Sequence, residues 1–191
     1  MLHLLDETLE AFLRDVVPLP QRDIDIAFAA PDSEWSASLS SRPTVDLYLW
    51  DVRPNLGERE FGEVIVEEVD GRRVRRGPLP RVDCRYLVTA WTSEVRDEHS
   101  LLGDVLSALL LHPVIEPRHL QGVFAEVRPL PSLRLRSGDG SENSDFWSAL
   151  GGQLKPGLDL VVTVTLDAAL RTTAGPPTES VAVRTTPSAP Q

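Results

Sequence analysis

Four histidines, His3, His99, His112 and His119, supply all the imidazole available for proton transfer or for activating a nucleophile. His3 falls in a terminal helix. His112 ends a second helix, where a cation favours the helix dipole. No Gly-x-Ser-x-Gly elbow precedes a helix, so no serine is set up to attack an acyl group. Among the carboxylates, Asp46 and Asp51 flank a predicted strand and Asp25 falls on a neighbouring one, a grouping that a two-metal site would need. Five residues apart, Asp46 and Asp51 point to opposite faces of a regular strand, which favours solvated or turn-forming acids. His112 and His119 are separated by a proline-containing turn and lack the spacing of metal ligands. The one cysteine, Cys84, excludes an internal disulfide and a cysteine-based zinc site, and reads as a small buried core residue. Gly151-Gly152 reads as a helix stop and Gly138-Asp139-Gly140 as a loop; neither matches a phosphate-cradling fingerprint. No catalytic, cofactor-binding or metal-ligating residue is assigned, and no cofactor is expected.

Charge is the other resource. Arg72, Arg73, Arg75, Arg76, Arg81 and Arg85 form the one basic patch of a chain whose formal net charge is −10. That balance argues against non-specific binding to DNA or to anionic membranes. The alternative reading is a small nucleic-acid-binding or metal-dependent α+β domain using the 72–85 arginine patch. Against it, Glu63, Glu67 and Glu68 lie on the preceding arm and neutralise the arginines as a salt-bridged hairpin. A third reading is a polar handle for an oppositely charged protein partner. Trp50, Trp91 and Trp147 read as core or interface aromatics.

The elements that position these residues follow from periodicity. Leu2, Leu5, Leu9, Phe12, Leu13 and Val16 recur at helical spacing over residues 2–17, and Pro18 and Pro20 stop that helix. Residues 23–28 alternate as a strand with Ile24, Ile26 and Phe28 on one face. Pro31-Asp32-Ser33-Glu34 opens a short helix carrying Trp35 and Leu39, closed by Arg42-Pro43. Residues 44–52 form the clearest strand. Val45, Leu47 and Leu49 face one way, Asp46, Tyr48 and Trp50 the other, so it is expected to be central and covered on both faces. Residues 58–76 read as a hairpin turning at Asp70-Gly71, with six acids in 58–70 and four arginines in 72–76. A two-residue loop there sets Glu68 opposite Arg73, and the tip is expected to project into solvent. Residues 82–92 form another strand, with Val82, Cys84, Tyr86, Val88 and Ala90 on one face. Residues 97–112 form a second helix with a stripe of Leu101, Leu102, Val105, Leu106, Leu109 and Leu110. Strands are expected at 123–128 and, edge-like, at 133–136. Residues 137–144 read as a loop, Asp145 as the cap of a short helical turn with Phe146, Trp147 and Leu150, and 158–166 as a final strand.

Residues 172–191 hold four prolines, five threonines and no aromatic residue, and read as a disordered tail. The expected layout is a domain over 1–168 and a Pro/Thr-rich tail over 169–191. The fold class is α+β: a mixed, mostly antiparallel sheet with two main helices packed on it, a projecting β-hairpin and the tail. The longest apolar runs fall far short of a membrane span, and the first residues carry no basic leader. A soluble protein made inside the cell is expected.

Several segments, in order, resemble one family. They are Leu5-Asp6-Glu7-Thr8-Leu9; Ser41-Arg42-Pro43-Thr44 through Arg53-Pro54-Asn55; Tyr86-Leu87-Val88-Thr89-Ala90-Trp91; Asp97-Glu98-His99-Ser100-Leu101-Leu102-Gly103; Leu110-Leu111-His112-Pro113; and Phe146-Trp147 through Lys155-Pro156 with Leu158-Asp159-Leu160. This succession resembles the cap, or tail-terminator, proteins of extracellular contractile injection systems, phage-tail-like particles such as the antifeeding prophage and the Photorhabdus virulence cassettes. The resemblance implies a tail-terminator-like fold and a structural role, not an enzyme. It implies a hexameric ring at the end distal to the baseplate that stops growth of the inner tube and the sheath. Its implied partners are copies of itself and the sheath and tube subunits, without nucleic acid or membrane. It implies assembly in the cytoplasm into a particle that can be released. Within this frame the split-charge hairpin, with Glu67, Glu68, Arg72, Arg73, Arg75 and Arg76, is the expected interface for ring closure or sheath contact.

Overall fold

Leu5, Leu9, Phe12 and Leu13 recur every three or four residues and are all buried along the first helix, α1 (Leu2–Val16). Thr8 belongs to the same stripe. Its hydroxyl donates to the Leu4 carbonyl at 2.7 Å and accepts the Gln121 N–H at 3.1 Å, which ties a distant loop to the helix. The computed structural model describes residues 1–17, 24–39, 42–58, 79–137, 147–148, 151 and 154–166, and the backbone of 65–69, 72–76 and 171–173. The chain forms two compact units: Met1–Glu60 with Leu79–Ala168, and Phe61–Pro78 with Ala169–Gln191.

The first unit is built on five strands: β1 (Asp25–Ala27), β2 (Thr44–Pro54), β5 (Arg81–Trp91), β6 (Ser132–Leu135) and β7 (Gly157–Thr165). Their order is β1-β2-β5-β7-β6, with β1 parallel to β2 and every other pair antiparallel. The mixed, mostly antiparallel α+β class read from the sequence is therefore the fold. β2 is interior but not the middle strand; β5 is, because the short β1 adds outside β2. β6 is an edge strand as expected, and Pro113 and Ile115 hydrogen-bond along part of its outer side.

One face of the sheet makes the core. Val45 and Leu47 of β2, Cys84, Tyr86 and Val88 of β5, and Leu160, Val162 and Val164 of β7 are buried there with the α1 stripe. The helix α3 (Val95–Leu111) adds Leu101, Val105, Ala108 and Leu109. Each large apolar side chain among these contributes about 1.5–3 kcal/mol on burial. The α3 stripe is shorter than expected: Leu110 is 65% exposed, because the helix continues past its last core contact, Leu109. The short helix α2 (Ser33–Ser38) starts where the sequence placed it, with the Asp32 carboxylate accepting the Trp35 N–H at 2.7 Å.

Residues 123–128 are not a strand. Gly122–Ala125 form a 3₁₀ turn, with Phe124 and Val127 buried. The apolar groups Val123, Phe124 and Val127 do not alternate, and Gly122 takes a φ of +53° that a strand does not use.

The second unit is a three-stranded antiparallel sheet, β3 (Ile65–Val69), β4 (Arg72–Arg76) and β8 (Arg171–Thr173). The expected tail thus contributes a strand at its start: a few residues added to an existing strand edge need no core of their own. The Asp70-Gly71 tip, Pro18 and Pro20, the loop after Ser137, the Asp145 cap with Phe146 and Leu150, and the tail after Thr173 lie outside the described residues.

Candidate functional site

The residues singled out for chemistry are scattered. Asp25 pairs with Arg42 at 3.0 Å at the sheet edge. Asp46 is fully buried, and its Oδ1 accepts the Ala29 N–H at 3.1 Å. Burial pushes its carboxyl up to about 7, against the smaller opposing pull of that hydrogen bond. Asp51 takes Arg53 at 2.8 Å and Arg85 at 3.7 Å. The parity argument for Asp46 and Asp51 fails. The β2–β5 register shifts between Leu49 and Asp51, so Asp46 opposes Thr89 and Asp51 opposes Arg85, which share one face of β5. Both acids therefore lie on the face away from the core. Among the described residues, no three His, Cys, Asp or Glu side chains come together as a metal site.

The histidines divide in the same way. His3 and His99 are exposed. His119 is buried, stacks edge-on against Phe12, and its Nε2 lies 2.9 Å from Asp15. That bond, then Arg118, holds the Asp15 carboxyl below its usual range. Cys84 is fully buried and its thiol is pushed up to about 12, chiefly by burial, so it is not a nucleophile.

The arginine patch separates into two groups. Arg81 and Arg85 are only 6% and 7% exposed. Arg81 holds Glu58 at 3.0 Å and the Thr165 hydroxyl at 2.7 Å. Arg85 donates to Asp159 at 2.7 Å and lies 4.0 Å over the Trp50 ring. These two brace β2, β5 and β7 on the outer face. The remaining four stand on β4. The hairpin has the predicted register: Glu68 opposes Arg73, Glu67 opposes Val74, and Val69 opposes Arg72 across a two-residue connection. On its other side β4 places Arg75 opposite Thr172 and Arg76 opposite Arg171 of β8.

A feature that the sequence did not single out is a cleft of about 720 Å³ in the first unit. It is lined by Pro31, Trp91, Val95, Leu154, Lys155 and Pro156, among others. Trp91 is one of its lining residues. Trp35 of α2 meets it edge-on at 5.3 Å, and Lys155 lies 4.1 Å over the ring while pairing with Glu98. Trp91, Glu98 and Lys155 come from three of the segments that carry the resemblance. Their convergence was invisible in one dimension, since 57 residues separate Glu98 from Lys155.

The first unit is an α+β sheet with the buried Arg81 and Arg85 bracing its outer face, and the second a small sheet whose strands carry Glu67, Glu68 and four arginines. The chain belongs to the Pvc16 N-terminal domain family, whose sequence profile matches residues 4–180. The fold is that of two solved structures. The sheath/tube terminator of the PVC extracellular contractile injection system, in its extended state, superposes with a TM-score of 0.70 at 21% identity, over 99% of this chain and 64% of that one. The tube-terminating cap of the anti-feeding prophage superposes with a TM-score of 0.67 at 18% identity, over 95% and 60%. The chain thus spans under two thirds of the length of either. No curated protein matches the sequence. Among the described residues, no helix is long and apolar enough to cross a membrane.

Proposed function

We propose that the protein is a structural cap, or tail terminator, of a contractile injection particle. It forms a hexameric ring at the end distal to the baseplate and stops growth of the inner tube and the sheath. The observation that carries this reading is the family profile over residues 4–180, joined to a terminator-like fold over nearly the whole chain. The engagement of two arginines of the basic patch weighs against the nucleic-acid alternative. Arg81 and Arg85 are committed to Glu58 and Asp159, so two of the six arginines are withdrawn from any phosphate backbone.

The hairpin supplies the contact to the ring or the sheath. Glu67 and Glu68 stand on one strand and Arg72, Arg73, Arg75 and Arg76 on the next, so the sheet offers both signs of charge to a neighbour. The protein is expected to co-purify with sheath and tube subunits and to bind isolated tail ends. Reversing Arg72, Arg73, Arg75 and Arg76 to Glu abolishes that association. Undiminished binding of the reversed variant in negative-stain images refutes the hairpin assignment. Failure of the wild-type protein to bind isolated tail ends refutes the cap itself.

A further inference from the structure

Alternation along the strands of the second unit sorts its charges onto two faces. The register puts Glu67 of β3, Arg72, Val74 and Arg76 of β4, and Arg171 of β8 on one face. Glu68, Arg73, Arg75 and Thr172 share the other. The two faces balance their arginines differently. On the second, Glu68 stands directly opposite Arg73 and diagonal to Arg75, which has the neutral Thr172 on its far side. On the first, Arg76 stands directly opposite Arg171. Directly opposed positions have Cβ atoms about 4.5–5.5 Å apart, and like charges placed there destabilise the pairing. Glu67 is diagonal to both Arg72 and Arg76, so one acid answers three arginines on that face among the described strands. An anion bridging Arg76 and Arg171 removes the repulsion that the free sheet carries.

The same register says which anion fits. Arg72 and Arg76 are four residues apart on β4 with Val74 midway, and Val69 and Ile65 oppose the two arginines. At about 3.3 Å per residue the two positions are about 13 Å apart. An extended chain repeats at that spacing, so acids at its positions i and i+4 match Arg72 and Arg76, and an aliphatic residue at i+2 matches Val74. Arginine suits carboxylates, which it can bind with two parallel hydrogen bonds. A phosphate backbone fits less well. It makes no use of the aliphatic positions, and the four acids Glu63, Glu67, Glu68 and Asp70 accompany the four arginines of 72–76 and repel a continuous polyanion.

We propose that the β4–β8 face with Arg72, Arg76 and Arg171 is a binding site for an extended acidic segment of a partner protein, with acids four residues apart and an aliphatic residue between them. The Arg76–Arg171 pair anchors one acid and Arg72 takes the other. The proposal rests on the hairpin contact given above and deepens it: it names the partner's chemistry, selects one face of the sheet and adds Arg171, which the charge pattern of the hairpin alone does not include.

The test titrates the full chain into a labelled extended peptide carrying glutamates four residues apart with a valine midway, read by fluorescence anisotropy. The wild type is expected to bind it, and Arg76→Gln with Arg171→Gln to weaken binding at least about tenfold. Arg73→Gln with Arg75→Gln, on the other face, is expected to change it less than about twofold. Without peptide, Arg171→Gln is expected to melt no lower than the wild type, because the substitution removes a like-charged neighbour; that measurement separates lost binding from a lost fold. No binding by the wild type, equal losses in the two double variants, a lower melting temperature for Arg171→Gln, or tighter binding of a thymidine oligonucleotide of the same net charge overturns the proposal. Isolated tail ends separate this site from the reading it rests on. A chain that binds the peptide as expected but ignores tail ends leaves the arginine site standing and removes the cap reading. A chain that loses tail ends when Arg72, Arg73, Arg75 and Arg76 are reversed, but whose peptide binding is indifferent to Arg76 and Arg171, does the reverse.

Discussion

Asp46 has one carboxylate oxygen satisfied by Ala29 N–H and the other, Oδ2, buried with no hydrogen-bond partner among the described residues. Its carboxyl is raised from 3.8 to about 7, first by burial. The native state therefore holds this proton more tightly than the unfolded chain. The resulting stability is fully present below about pH 4 and is lost as the pH rises to about 7. Each pH unit climbed within that window removes about 1.4 kcal/mol. Urea unfolding at pH 5 and pH 8 is expected to show lower stability at pH 8, and Asp46→Asn to remove most of that difference. An unchanged pH slope in the variant contradicts this account. Tyr86 is fully buried and its hydroxyl donates to Asp6 at 2.8 Å. Tyr86→Phe leaves a half-buried carboxyl short of a donor and is expected to cost about 1–3 kcal/mol in the same assay. Sequence alone marked Asp46 as one of several acids on a strand. What it could not supply was the Leu49/Asp51 register shift, because a bulge depends on the partner strand rather than on the alternation of its own residues.

At the scale of elements, the legible parts were those whose periodicity is local. α1, β2, β5, β7 and the hairpin register with Glu68 opposite Arg73 all follow from spacing and from one turn dipeptide. The illegible parts were set by distant partners. The Gly122–Ala125 turn is fixed by Thr8 and by the approach of Leu4, whose Cδ1 would lie 2.9 Å from a Cβ at Gly122. Arg171–Thr173 pair with β4, which no composition argument could see. The cleft wall formed by α2 gives a prediction at this scale. None of its residues is buried, so its cap and the Trp35–Trp91 contact hold it. Asp32→Ala is expected to destabilise it by about 1 kcal/mol. Hydrogen exchange then accelerates at Ser36 and Ala37 and stays unchanged in α1; uniform acceleration across the fold contradicts that view.

For the whole molecule, the candidate site was legible only as a charge pattern on one hairpin, and the family only as an ordered succession of short segments. The physical reason is that surface sites are assembled from residues far apart in sequence. Trp91, Glu98 and Lys155 meet only after β5, α3 and the segment before β7 are in place. A terminator, the role proposed above, controls length. The most direct measurement is the distribution of tail lengths in electron micrographs of particles assembled with and without this gene. Capped particles are expected to share one narrow length, and particles lacking the protein to show tubes and sheaths of irregular length. The same narrow distribution in its absence would contradict the central claim.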